Sequence, residues 1–182
     1  MTENKVSWKA EALDWAKSIA IAVAIGLFIK TFIFNTTYVD GHSMNPTLHN
    51  GDRLITAKIV YYFGDPEVGD IVVLHAPDRD DADYIKRIIG APGDEILIQD
   101  GKIYRNGTAL EEPYIEKDIH TYGEYVEGET IKVPEDKYFV VGDNRVRGAS
   151  KDSRYFKSVD KELIKSKAVF RYYPFNNMGS VQ

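Results

Sequence analysis

The sequence predicts a mainly β domain that follows an apolar N-terminal helix. One run near the N-terminus is almost free of charge, whereas turn dipeptides punctuate the chain after Asn35 and separate short segments rich in β-branched and aromatic residues. Hydrophobic residues make up 43% of the 182-residue chain, which is enough for a buried core and excludes disorder for most of its length. The length is that of one folded domain.

The apolar run extends from Ser18 to Phe34 and is predicted to be an N-terminal transmembrane helix. With Trp15 and Ala16 it nearly reaches the roughly 20 apolar residues that a bilayer span needs. Its one charge, Lys30, lies near its end, where a lysine side chain can reach the headgroups. The alternatives are a buried core helix, an amphipathic surface helix, and a signal peptide cleaved after residues 39–41. The run is apolar on all faces and long for a signal peptide, which favours an uncleaved anchor.

Basic residues flank this run on one side only. Lys5, Lys9 and Lys17 precede it, whereas residues 36–52 contain neither Lys nor Arg. This bias predicts a cytoplasmic N-terminus. The expected organisation at the cell membrane is a cytoplasmic segment at 1–14, a single-pass anchor at 15–35 and an extracytoplasmic domain at 36–182.

The domain after the anchor is predicted to be an antiparallel β-sheet structure, either a sandwich or a barrel-like fold. Asn106-Gly107 is a favoured two-residue hairpin turn. Only residues 160–166 have a helical pattern, for about two turns. The predicted strands are 53–61, 70–75, 84–89, 95–99, 102–104, 129–133, 138–141 and 167–173.

Charge and composition exclude several classes of protein. The net charge is −5, from 23 basic and 28 acidic residues, whereas binding to nucleic acid needs a basic surface. The chain has no cysteine, which excludes disulfides, thiolate catalysis and Cys-ligated zinc. The four histidines lack metal-ligand spacing, and no H-E-x-x-H motif is present. We therefore expect no nucleic-acid partner, no metal and no organic cofactor.

Residues 41–48 (G-H-S-M-N-P-T-L) contain the candidate nucleophile. A nucleophilic serine needs an exposed hydroxyl and nearby backbone N–H groups that stabilise an oxyanion. Gly41 lets the backbone approach a substrate closely, and Pro46 fixes the turn that follows Ser43. Alone, this segment also fits an ordinary loop in which Ser43 bonds to nearby backbone.

Residues 84–94 (Y-I-K-R-I-I-G-A-P-G-D) contain a basic pair within an apolar strand. Burying a charge there is costly unless the charge is paired or neutral. Arginine keeps its proton in proteins, whereas a desolvated lysine can lose it and act as a base. If either residue is catalytic, it is therefore Lys86 and not Arg87. The alternative puts both charges at the solvent on an edge strand.

A third polar segment contains G-D-N-R at residues 142–145 and S-K-D-S-R at residues 150–154. Turn-forming Asp and Asn next to arginines predict a polar network that braces a loop. Each piece taken separately also fits a surface turn with ordinary ion pairs.

Together with the apolar run, these three segments resemble the bacterial type I signal peptidases, in particular the small single-span form of Gram-positive bacteria. The motifs occur in the family's order, and N-G-D at 50–52, V-G-D-I-V-V at 68–73 and F-R-Y-Y-P at 170–174 fit as well. The resemblance implies a membrane-bound Ser/Lys endopeptidase with an all-β catalytic domain, of the type found in self-cleaving Ser/Lys repressors. It also implies removal of signal peptides from secreted preproteins after small residues at −3 and −1 (Ala-x-Ala).

The resemblance assigns roles by motif position. Ser43 is the implied nucleophile, and Lys86 is its neutral general base. Ser150 is implied to hydrogen-bond and orient that lysine, and the backbone N–H groups of Ser43 and Gly41 are implied to form the oxyanion hole. The implied supporting network consists of Asp143, Asp152 and Arg154.

The resemblance also implies a location and partners. Met44 and the anchor would hold the site close to membrane lipid, secretory preproteins would be the substrates, and the secretion translocon would be nearby. One spacing departs from the family: four residues, 146–149, separate Arg145 from Ser150, where the family usually has two.

Two other hypotheses remain open. A hydrolase based on a histidine predicts that Lys86 is dispensable. A membrane-tethered binding or chaperone-like β domain without catalysis predicts that Lys86 is solvent-exposed and distant from Ser43.

Overall fold

The computed structural model describes residues 8–181, and its first element is the helix α1 (Trp8–Phe28). A π-helical segment, Ile29–Ile33, continues it directly. By length and composition, the stretch Glu11–Ile33 is apolar enough to cross a membrane, and none of it is buried against the rest of the protein. Lys5, which contributes to the predicted orientation, lies outside the described residues.

The rest of the described chain is mainly β structure, as the sequence predicts. Two single-turn helices, α2 (Val60–Phe63) and α3 (Ser153–Phe156), and two 3-10 turns, Lys161–Leu163 and Phe175–Asn177, interrupt it. The strands are β1 (Phe34–Tyr38), β2 (Arg53–Ala57), β3 (Ile71–His75), β4 (Asp83–Gly90), β5 (Glu95–Gln99), β6 (Lys102–Arg105), β7 (Thr108–Ala109), β8 (Thr130–Lys132), β9 (Lys137–Val141), β10 (Val159–Asp160), β11 (Ile164–Tyr173) and β12 (Gly179–Ser180).

The strands form two antiparallel sheets, which confirms the predicted fold class. The larger sheet has the order β1-β2-β11-β3-β4-β9-β10, with β12 paired to β11, and the smaller has the order β7-β6-β5-β8. The predicted hairpin is confirmed, because Arg105 pairs with Thr108 across Asn106-Gly107. Both turn residues have positive φ, 52° and 78°, as a type I′ turn requires.

The loop that contains Ser43 is part of the hydrophobic core. Met44 and Leu48 are buried in one apolar cluster with Leu54 of β2 and Ile71 of β3. Since Met44 packs inside the domain, the expectation that it holds the site close to the bilayer is wrong. Core packing therefore fixes Met44 and Leu48, the two buried side chains that follow Ser43 in this loop.

Two predicted elements differ from the structure. The predicted helix at 160–166 is only a 3-10 turn, because β11 begins at Ile164 with alternating burial: Ile164, Ser166 and Ala168 are buried and the residues between them are not. The predicted strand at 53–61 ends at Ala57. Beyond it, the Lys58 N–H donates to the Ile33 carbonyl at 2.9 Å and the chain turns into α2.

Truncating Leu48 should destabilise the domain, because this side chain is fully buried. We expect Leu48→Ala to lower the free energy of unfolding by about 2 to 5 kcal/mol, measured by urea unfolding of the full chain in detergent. Phe63→Ala is the matched control, since Phe63 is 88% exposed, and it should change stability little. Equal effects of the two substitutions would contradict the packing of this loop in the core.

Candidate active site

The Ser43 loop connects β1 and β2 and is closed at its base by backbone hydrogen bonds. The Val39 N–H donates to the Asp52 carbonyl and the Gly51 N–H donates to the Val39 carbonyl, both at 2.9 Å. The buried Asp52 carboxylate accepts hydrogen bonds from the His49 N–H at 3.0 Å and from Arg171 Nη1 at 2.9 Å. Ser43 itself is half-exposed, so a constrained loop presents its hydroxyl at the surface.

Lys86 of β4 reaches the Ser43 hydroxyl from inside the sheet. Its Nζ lies 3.0 Å from Ser43 Oγ and donates to the Ile85 carbonyl, also at 3.0 Å. Lys86 is only 2% exposed. The hypothesis of a binding domain without catalysis predicts the reverse, a solvent-exposed lysine distant from Ser43. In the described part of the chain no histidine is hydrogen-bonded to Ser43.

Burial lowers the pKa of Lys86 from 10.5 to about 8, since the charged ammonium loses its hydration. The carboxylates of Asp152 and Asp143 favour the charged form and oppose this shift, while the guanidinium of Arg154 adds to it. With this pKa about a tenth of Lys86 is neutral at pH 7, and the neutral form is the one that accepts a proton.

The two predicted oxyanion donors differ in their hydrogen bonds. The Ser43 N–H has no partner within residues 8–181 and is free to bind a substrate oxygen. The Gly41 N–H donates to Asn50 Oδ1 at 2.9 Å in this structure, and its role as a second donor stays a prediction. Gly41 also allows the turn, because its φ of 111° is in a region that side chains disfavour.

Asp143 forms a buried ion pair with Arg87, the neighbour of Lys86. Arg87 Nε and Nη2 donate to the two Asp143 carboxylate oxygens at 2.9 and 2.7 Å, and both residues are buried. Asp143 also accepts a hydrogen bond from Thr47 Oγ1 in the Ser43 loop. The interpretation of Arg87 as an exposed edge charge is therefore wrong, and this pair joins β4 to the Ser43 loop.

Asp152 and Arg154 form a second, separate ion pair. Arg154 Nε and Nη2 donate to the Asp152 oxygens at 2.8 Å each, and neither residue is exposed. Burial raises the pKa of Asp152, but the Arg154 guanidinium outweighs it and the pKa stays below its ordinary value. Asp152 also accepts from the Gly142 N–H at 3.0 Å. The predicted supporting residues thus form two ion pairs and not one network.

Ser150 is buried but is not hydrogen-bonded to Lys86. Its hydroxyl makes no hydrogen bond of ordinary geometry to the described residues, although it is close enough to Asp152 to lower the pKa of that carboxyl. It packs against Gly142, where an added Cβ would overlap both Ser150 Oγ and the Ser43 carbonyl oxygen. The predicted contact with Lys86 is absent from this structure, and a role of Ser150 in orienting the lysine stays a prediction.

Sequence reasoning missed partners that come from a long connecting segment. The Tyr114 ring stacks on the Arg87 guanidinium at 3.8 Å, and Glu112 forms an ion pair with the buried Arg145. Residues 110–121 have no periodicity that predicts an element, so only the charge of Glu112 could have indicated a partner. Within residues 8–181 no cluster of three or more His, Asp or Glu side chains could hold a metal ion.

A cleft of about 130 Å³ lies beside the Ser43–Lys86 pair. Its lining includes Thr37 and Tyr38 at the end of β1 and Tyr84 and Ile85 of β4. A half-exposed serine hydroxyl hydrogen-bonded to a buried lysine amine at such a cleft is the arrangement expected of a serine hydrolase in which an amine acts as the base.

Comparisons with known proteins agree with this class. The family model described as signal peptidase, peptidase S26, matches residues 12–173. The chain is 42% identical to signal peptidase I of Bacillus licheniformis and 43% identical to signal peptidase I S of Bacillus subtilis (strain 168), each alignment covering 98% of both chains. A crystal structure of a signal peptidase I from Enterococcus faecalis V583 is 34% identical and covers 57% of this chain and 97% of its own, with a TM-score of 0.47. The chain belongs to the signal peptidase family, peptidase S26, and is a serine peptidase.

Replacing Lys86 by Met should stabilise the protein in a pH-dependent way. Well below pH 8, wild-type Lys86 is charged in both the folded and the unfolded state, so the folded state bears the full cost of desolvating the charge. As the pH rises from about 8 to 10.5, the lysine of the folded state becomes neutral and that cost disappears. We expect Lys86→Met to be about 1 to 3 kcal/mol more stable than wild type at pH 6. This advantage should shrink toward pH 10.5 in urea unfolding curves, and a difference that does not change with pH would contradict the lowered pKa.

Proposed function

We propose that this protein removes signal peptides from exported preproteins, with Ser43 as the nucleophile and Lys86 as the general base. The hydrogen bond of 3.0 Å between Lys86 Nζ and Ser43 Oγ is the observation that carries the proposal. It lies within the distance at which a base can take a proton. Membership of the signal peptidase family supports the preprotein as the substrate.

The reaction follows from the positions of these groups. Neutral Lys86 takes the Ser43 proton as Oγ attacks the carbonyl carbon of the −1 residue, and the free Ser43 N–H stabilises the oxyanion that forms. The Lys86 ammonium then protonates the leaving amine, which releases the mature protein and leaves an ester on Ser43. Lys86 next takes a proton from a water that attacks the ester carbon, and its ammonium returns that proton to Ser43 Oγ as the ester bond breaks, which releases the signal peptide and restores the serine.

The open edge of β4 is the proposed docking site for the substrate backbone. Ile88 exchanges backbone hydrogen bonds with Gly69 and Asp70 on the β3 side. Successive residues of a strand direct their N–H and C=O groups to opposite sides, so those of Asp83 and Ile85, an odd number of residues before Ile88, point away from β3. There β9 pairs only with residues 87–90, and no described strand covers Asp83–Lys86. An extended substrate can add to this edge as a further strand.

The cleft beside this edge supports a preference for small residues at −1 and −3. Side chains two positions apart lie on the same face of an extended peptide. A substrate whose −1 side chain enters the cleft therefore directs its −3 side chain toward the protein as well. Val39, Met44 and Val73 contribute apolar lining, and the volume of about 130 Å³ has little room for large side chains. We infer the Ala-x-Ala pattern from these two properties.

Membrane anchoring is proposed for α1 and its continuation to Ile33. This stretch is long and apolar enough to span a bilayer, and none of it is buried in the protein. The charge bias around it favours a cytoplasmic N-terminus, with residues 36–182 on the other side, next to lipid and within reach of preproteins that leave the secretion translocon.

Removing either member of the Ser43–Lys86 pair should abolish cleavage while the protein stays folded. We expect Ser43→Ala and Lys86→Ala to reduce kcat by a factor of about 10⁴ or more, because neither nucleophile nor base can be replaced by a neighbour. The measurement is cleavage of a preprotein by full-length protein in detergent. Ser180→Ala and Lys102→Ala, both exposed, are the matched controls; full activity of Lys86→Ala would reject the proposed base.

The pH dependence of the wild type identifies the base independently. Only neutral Lys86 accepts the Ser43 proton, so kcat/KM should rise with pH and level off above about 8, the pKa of Lys86. A histidine base would instead give a midpoint near the ordinary pKa of about 6.5. A midpoint of that value, lost on replacing one histidine, would favour the histidine hydrolase.

Enlarging the substrate at −1 should reduce cleavage, because the cleft is small. We expect Ala→Leu at −1 to lower kcat/KM by about 10- to 100-fold, the cost of overfilling a packed site. The same change at −2 is the control, since that side chain points away from the protein. Similar losses at both positions would argue against recognition by this cleft.

A further inference from the structure

We propose that Asn144 is a positioning residue that orients the oxyanion-binding N–H of Ser43. This inference rests on the proposed function, since it concerns the donor assigned there. Asn144 touches the Ser43 loop twice: its side-chain Nδ2 donates to the His42 carbonyl at 2.9 Å, and its backbone N–H donates to the Ser43 carbonyl at 3.0 Å. The two carbonyls belong to the two peptide groups that flank the Ser43 Cα.

Because the peptide group is planar, the contact of Asn144 with the His42 carbonyl also fixes the direction of the Ser43 N–H. The His42–Ser43 peptide is trans, so the His42 carbonyl and the Ser43 N–H point in opposite directions in one plane. When Asn144 Nδ2 holds the carbonyl on one side, the N–H is directed to the other. That N–H has no partner within residues 8–181. The His42 carbonyl also accepts from the Asn45 N–H at 3.2 Å, so two hydrogen bonds hold this peptide, and the one from Asn144 is the shorter.

The second contact fixes the other peptide that flanks Ser43. With both planes held, the φ and ψ angles of Ser43 are set, and with them the direction of the Cα–Cβ bond that carries the hydroxyl. Asn144 therefore aligns the oxyanion donor with the hydroxyl that Lys86 deprotonates. It does so without touching Lys86 in the structure.

Asn144 is itself held by the turn that follows it. Its Oδ1 accepts from the Val146 N–H at 3.2 Å, while Arg145 Nε donates to the Gly142 carbonyl at 2.9 Å. The Ala149 N–H donates to the Val146 carbonyl at 3.0 Å, so the segment between Arg145 and Ser150 folds back as a turn. Because the amide accepts with its oxygen and donates with its nitrogen, neither bond survives a reversal of the side chain.

The test separates binding of the transition state from binding of the ground state. Asn144→Ala removes both side-chain bonds, and Asn144→Asp replaces the donor by an acceptor while keeping the size and the Val146 contact. A peptide aldehyde that matches the signal-peptide end adds Ser43 Oγ to its carbonyl carbon and leaves an oxygen at the oxyanion position; the corresponding peptide alcohol cannot form this adduct.

We expect both variants to lower kcat by about 10- to 100-fold with KM nearly unchanged, somewhat less than outright loss of an oxyanion donor. Affinity for the aldehyde should fall by the same factor, and affinity for the alcohol should stay at the wild-type value. The ratio of the two affinities does not depend on the folded fraction of a sample, so a destabilised variant is still informative. Asn176→Asp, at an exposed position on the surface, is the matched control.

Four outcomes would count against the proposal or its basis. Wild-type kcat in both Asn144 variants, or equal losses of aldehyde and alcohol affinity, would overturn the positioning role while leaving the Ser43–Lys86 function intact. Cleavage by Ser43→Ala, measured in parallel, would instead overturn the proposed function itself. The midpoint of the pH profile should stay near 8 in Asn144→Ala, since a shift would place the effect on Lys86 and not on the oxyanion donor.

Discussion

The buried amine of Lys86 is the constraint on which the proposed chemistry depends. An amine in water at neutral pH is almost fully protonated, and it is mainly the loss of hydration inside the sheet that brings the pKa of Lys86 to about 8. Strand β4 therefore has to keep Lys86 dry, 2% exposed, while its Nζ still reaches a hydroxyl at the surface. The core cluster that contains Met44 and Leu48 of the Ser43 loop also packs against Ile85, the neighbour of Lys86 in β4.

The charges of the two adjacent basic residues on β4, Arg87 and Lys86, have opposite environments. Arg87 receives a bidentate carboxylate from Asp143 and an aromatic face from Tyr114, so its charge is compensated in place. Lys86 has no carboxylate within hydrogen-bonding distance among residues 8–181; its two hydrogen bonds go to a hydroxyl and a carbonyl. Full compensation stabilises the charged form, whereas partial compensation favours the neutral one. The same strand thus carries a permanent structural cation and a titratable base.

The sequence predicted the fold class and the residues with intrinsic chemistry better than it predicted their partners. Alternating burial and turn residues are local properties, and lysine is the one of the two basic residues that can lose its proton, so both could be argued without coordinates. The contact of Gly41 with Asn50, and that of Arg87 with Asp143, join segments whose proximity only the folded sheet defines. The helix predicted at 160–166 failed because pairing of Ile164–Tyr173 with two neighbouring strands overrides a short local pattern.

The placement of Met44 and Leu48 in the core also determines how Ser43, the proposed nucleophile, can move. A loop with exposed side chains opens at little cost, but displacement of Ser43 would drag two buried apolar side chains toward water. Exchange of the loop amides with solvent should thus follow the opening of the core and not a fast local fluctuation. We therefore expect the site to keep its shape when an inhibitor binds. Selectivity between compounds would then come from steric exclusion of those that do not fit.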